Sequence, residues 1–156
     1  MKLAAVWLVA VTSLAPLGAC SHHKTDRALD RETQNQLLID RNWIDVMPQT
    51  ERDKLHVYRF VPTMGGGVYQ DRTIFKGTFE LFKFTVDGDQ LEFDLLQTHD
   101  KVRSQFEIAP VDGPAPFDLK LTIPNDPRGP RVYYGSRAET DRDGHVLEQE
   151  LAARPR

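Results

Sequence analysis

GTFELFKFTVDGDQLEFDLLQ, residues Gly77 to Gln97, reads as two strands folded over an Asp87-Gly88 turn. Strand side chains alternate, so Phe79, Leu81, Lys83, Thr85 and Asp87 share one face of the first strand and Glu80, Phe82, Phe84 and Val86 the other. After the turn, Leu91, Phe93 and Leu95 alternate with Glu92 and Asp94, giving the second strand one dry face and one wet one. Asp-Gly supplies the positive φ angles of a tight hairpin, and aromatic and β-branched residues suit a half-buried pleat.

The period of two recurs on both sides of this hairpin. Upstream, Leu38 to Met47 is expected to be a first strand centred on Trp43 and ended by Pro48. LHVYRFV, Leu55 to Val61, carries bulk on both faces, and Val68 to Phe75 is a shorter strand. Gly65-Gly66-Gly67 between them predicts a loop at a barrel rim rather than a phosphate cradle, because Val68-Tyr69-Gln70 follows where a lysine and a helix start are needed. Downstream, Thr98-His99-Asp100 is a turn, and Lys101 to Ile108 places Val102, Ser104, Phe106 and Ile108 on one face. The prolines of 110–116 make a connection, since proline lacks the ladder donor. Phe117, Leu119, Leu121 and Ile123 then alternate with polar residues, the cluster 124–130 turns, and Arg131 to Arg137 holds Val132, Tyr133 and Tyr134. Asp143-Gly144 gives the last turn, His145 to Leu151 closes the sheet as a strand or a short helix, and 152–156 fray.

Counting these segments gives about eight or nine short strands with no helical period long enough to cross between parallel neighbours. The fold class expected is all-β, an antiparallel meander over residues 37–151 closed into a small barrel, with a β-sandwich as the alternative. Charged residues at 28% and hydrophobic ones at 40% suit one globular domain, and a net charge of −3 without a Lys/Arg block excludes sequence-independent nucleic-acid binding.

Residues 1–19 have a lysine, an apolar run from Leu3 to Val11 and small residues before Cys20, the pattern of a secretory signal. Leu17-Gly18-Ala19-Cys20 resembles the lipobox of bacterial lipoproteins. That resemblance implies cleavage before Cys20, lipidation of its thiol and amino group, and a membrane as partner through the N-terminal lipid. Ser21 replaces the aspartate that favours inner-membrane retention in the Gram-negative family, so the periplasmic face of the outer membrane is implied. Cys20 is the one cysteine, which excludes an intramolecular disulfide. Residues 20–36 are polar and aperiodic, a tether with at most a helical turn over 30–36, and His22-His23 lacks a third ligand for a metal.

Trp43 near the first strand, the run of hairpins and the lipid anchor together resemble the bacterial lipocalin-like proteins, small calycin barrels. The lipocalin glycine two places before the tryptophan is Arg41 here. The resemblance spans Leu37 to Leu151 and implies a barrel holding a small hydrophobic or amphiphilic ligand.

Nothing in the sequence points to catalysis, a metal or a cofactor. Ser104 and Ser136 lack a Gly-x-Ser-x-Gly setting, and His56, His99 and His145 lie on separate segments. Asp87 with Asp89 and Asp141 with Asp143 lie at glycine turns, where aspartate caps its own backbone. An eight-strand barrel can hold one ligand if its interior is not filled, and Trp43, Tyr58, Phe60, Phe82, Phe84, Phe93, Phe106 and Tyr134 are the expected lining. Arg72 and Arg103 are candidates for an anionic head group. The alternative function is structural, with the outer face or the glycine loop docked on another envelope protein.

Overall fold

The computed structural model describes residues 28–113, 115–139 and 146–153. The signal region, Cys20, His22-His23, His145 and the Asp143-Gly144 turn lie outside the described residues.

The chain enters through a helix, where the sequence predicts a tether and then a strand from Leu38. This helix, α1 (Arg31–Leu38), starts at Asp30, whose carboxylate accepts from Thr33 N at 2.9 Å and from Thr33 Oγ1 at 2.7 Å. That is an N-cap, and it satisfies donors the first turn leaves free. Only Gln34 and Leu38 of α1 are buried, with Leu37 packed more loosely, so the apolar stripe is too short and too interrupted to register as a helical period. The first strand is correspondingly short, β1 (Asn42–Ile44).

Eight further strands follow: β2 (Leu55–Val61), β3 (Gly66–Arg72), β4 (Gly77–Asp87), β5 (Gln90–Leu95), β6 (Lys101–Gln105), β7 (Glu107–Pro110), β8 (Leu119–Thr122) and β9 (Val132–Gly135). They form one antiparallel sheet in the order β6-β5-β4-β3-β2-β1-β9-β8-β7. The two terminal strands of that order, β6 and β7, are separated by Phe106 alone, so the chain itself bridges the gap and the sheet is a nearly closed barrel rather than a sandwich. The segment read as one strand from Lys101 to Ile108 is thus two halves of a bent strand, the first paired with β5 and the second with β8. At the bend Phe106 N donates to Asp89 O at 2.9 Å. Across the seam lies α1: Gln34 accepts from Ile108 N at 2.9 Å and donates to Leu29 O at 2.8 Å, while the Arg31 guanidinium sits over the Phe106 ring.

The central hairpin has the expected register, with Phe82 opposite Leu95, Phe84 opposite Phe93 and Asp87 opposite Gln90 around Gly88 at φ +59°. The glycine triplet is a correction. Gly65 makes the turn at φ +77°, but Gly66 and Gly67 belong to β3, where the next strand passes very close. A Cβ on Gly67 would lie 2.4 Å from the Phe82 ring, so close approach and not looseness explains the glycine there.

Two apolar cores share one wall. Inside the barrel are Leu38, Trp43, Tyr58, Phe60, Phe82, Phe93 and their neighbours. Outside it, Ile44, Met47, Leu55, Val57 and Phe117 are covered by Leu147 and Leu151 of a second helix, α2 (Val146–Ala152). The bulk on both faces of LHVYRFV follows from this position, because β2 is buried from both sides. No helix among the described residues is long and apolar enough to cross a membrane.

Candidate functional site

Six of the eight expected lining residues, Trp43, Tyr58, Phe60, Phe82, Phe93 and Phe106, are buried in the inner core, and Phe84 packs at its edge. Tyr134 is not among them. It pairs with Ile44 and packs in the outer core, while Tyr133 takes the inner position, as alternation along β9 requires. Two adjacent tyrosines on a four-residue strand leave the inward one undecided from sequence. The inner rings touch one another: the Tyr58 ring centroid lies 4.8 to 5.8 Å from those of Tyr69, Tyr133, Phe60, Phe82 and Phe93. These are packed aromatic contacts, so the mid-barrel side chains meet each other rather than line an open tube. Trp43 is tied in place by its indole N–H, which donates to Leu38 O at 3.0 Å.

One end of the barrel is closed by Asp126, in the turn cluster between β8 and β9. Its carboxylate accepts from the hydroxyls of Tyr58, at 2.9 Å, and Tyr133, and from the backbone N–H groups of Arg128 and Arg131. Arg128 then pairs with Glu80 and lies over the Tyr69 ring. Burial, reinforced by the Asp126 charge, pushes the pKa values of Tyr58, Tyr69 and Tyr133 up, which keeps Tyr58 and Tyr133 as neutral donors to the carboxylate.

A hollow of about 390 Å³ opens at the other end, lined by Asn35 of α1, Ile39, Pro62, Gly65, Gly66, Phe84, Thr85 and Val86. Val86 and Glu80 stand six positions apart on β4, which places this rim about 20 Å from the Asp126 end by strand rise. Ile39, Phe84 and Val86 also pack against the inner core, so the hollow is the barrel mouth beneath α1. Asn35 Oδ1 is buried and takes no hydrogen bond among the described residues. Nothing in the pattern of residues 20–36, polar and aperiodic, marks Asn35 as a site residue.

The outer face of β3 and β4 carries two further hollows. One of about 200 Å³ is bordered by Met64, Gly66, Gly67, Val68, Leu81 and Leu96, and one of about 240 Å³ by Arg72, Phe75, Lys76 and Phe79. Large apolar side chains stand in water here, with Met64 74% and Phe79 68% exposed.

The remaining candidates are engaged elsewhere. Arg72 is held by Glu148 and the carbonyls of Thr73 and Ile74, and Arg103 by Glu92 on the outer face. His56 shares a 2.6 Å contact with Asp45 and stacks on Tyr69, His99 forms its turn at φ +63°, and Ser104 bonds the backbone at Gln105 and Asn125. No group of three or more metal-ligating side chains is present among the described residues. Arg41 is buried and donates to Ser136 O at 2.7 Å. Beside it Glu139, fully buried, accepts from Asn42 and faces Arg59, and burial holds its carboxyl above the usual range. This cluster ties β1 to the chain after β9. Compared with family models, curated proteins and solved structures, the chain has no match.

Proposed function

We propose that this is a lipid-anchored, non-enzymatic protein of the bacterial cell envelope that takes a small hydrophobic or amphiphilic ligand at the mouth of its barrel. The hollow beneath α1 carries this reading. Its volume falls within the range of small-molecule sites, about 300 to 1,000 Å³, and its walls combine apolar side chains with the amide of Asn35. The nearly closed sheet is compatible with a calycin barrel. The anchor rests on Leu17-Gly18-Ala19-Cys20, whose resemblance to a lipobox puts several acyl chains on Cys20, and at roughly 0.8 kcal/mol per buried methylene these hold where one chain does not.

Native mass spectrometry of the protein should show saturable uptake of a lipid-sized probe, reduced in Val86→Trp, which fills the hollow. A Val86→Trp protein that is folded and takes up the probe unchanged would put the ligand elsewhere. Cys20→Ala should leave the domain folded and move it out of the membrane fraction.

A second reading is favoured by the outer face of β3 and β4, where Met64, Phe75, Phe79, Leu81 and Leu96 are exposed together with Lys76 and Lys83. Such a face fits docking on another envelope protein. Asp substitutions at Phe79 and Leu81 that abolish a co-purifying partner while sparing probe uptake would favour it.

A further inference from the structure

We infer that the hollow at the barrel mouth selects an amphiphile with an uncharged polar head, a hydroxyl or amide, over a carboxylate or an ammonium; this rests on the ligand reading above. The lining side chains divide into an apolar floor of Ile39, Pro62, Phe84 and Val86 and one polar group, the Asn35 amide; Thr85 borders the hollow from a strand position whose side chain faces outward. None of the lining side chains is ionisable. A carboxylate entering there would give up water without meeting a counter-charge, a cost that an alcohol does not carry. The three arginines of the described strands are engaged elsewhere, Arg59 facing Glu139, Arg72 held by Glu148 and Arg103 by Glu92.

The Asn35 amide suits a neutral head. Asn35 Oδ1 is buried without a donor among the described residues, so its amide is not fixed by the chain. An amide offers an acceptor and two donors, and by rotation about its last bond it meets a hydroxyl or another amide in either sense. A buried acceptor left unmatched is costly, so a ligand donor reaching Asn35 gains by satisfying it. The floor supplies non-specific hold and the Asn35 amide supplies the choice of head.

The test uses three probes of one chain length, n-octanol, octanoate and octylammonium, titrated into the whole protein by calorimetry well above the carboxylate range. Octanol is expected to bind about tenfold or more tightly than either ion. Asn35→Leu should weaken octanol several-fold and leave octanoate unchanged. Hydrogen exchange on the native protein gives a readout independent of any variant: octanol should slow exchange at Asn35, Gly66 and Val86. Octanoate or octylammonium binding at the same amides as tightly as octanol would overturn the selectivity and leave the ligand site standing. Absence of binding by all three, with no change in exchange, would remove both.

Discussion

Asp126 holds more of this molecule than any charge-pattern reading of its turn suggests. Two tyrosine hydroxyls and two backbone N–H groups converge on it, from β2, β9 and its own loop. Replacing it by alanine leaves Tyr58 and Tyr133 with buried, unmatched hydroxyls, and the expected loss is about 3 kcal/mol in urea unfolding. The tyrosines also set an alkaline limit. In the unfolded chain they ionise near pH ~10, but in the fold burial and Asp126 raise that value. The folded state therefore keeps protons that the unfolded state loses. The stabilisation is complete below the unfolded value and is lost as pH rises above it toward the raised folded one. Urea midpoints measured along this range should fall, and Tyr58→Phe should make the fall shallower. A flat profile through the tyrosine range would mean the hydroxyls are not confined as described.

At the scale of the element, α1 acts through one side chain. Gln34 takes the Ile108 N–H, which belongs to the last strand of the sheet order, and fastens it to the helix start through Leu29 O. Edge strands expose unpaired donors and are commonly covered by a helix, as β7 is here. Gln34→Ala should cost about 2 kcal/mol and speed hydrogen exchange at Ile108 more than at Leu91, in the middle of the barrel. Equal acceleration at both would assign Gln34 to global stability alone. This helix also shows where sequence reading stops. The hairpin over Asp87-Gly88 and the double-faced Leu55–Val61 were legible because each carries a repeating pattern of its own. α1 is held by a cap, one glutamine and Leu38, none of which makes a period. The bend at Phe106 was hidden for a related reason: side-chain alternation continues straight through it, and only the partners change.

The whole molecule is a wall with apolar packing on both sides. The inner aromatic residues were legible as a set, since period two sends Phe82, Phe84 and Phe93 inward, but their mutual contact is a matter of volume and cannot be read from alternation. The outer layer was illegible, because α2 is short and its partners Met47, Leu55, Val57 and Phe117 are scattered along the chain. That layer is integral to the barrel. Ile44 and Val57 face it from β1 and β2, while Trp43 and Tyr58, their immediate neighbours, face the interior and stand opposite each other. Stripping α2 away would expose Leu55 and Val57 and loosen the two strands on which Trp43 and Tyr58 are mounted. Leu147 is fully covered, so Leu147→Ala should cost about 2 to 5 kcal/mol despite lying outside the barrel. Because the two layers share β1 and β2, they should also unfold together. In the chain from Cys20 onward Trp43 is the one tryptophan, so its fluorescence reports the interior, and exchange at α2 amides reports the outer layer. Their denaturant midpoints should coincide in the parent and shift together in Leu147→Ala; an α2 transition well below that of Trp43 would show the outer layer to be separable.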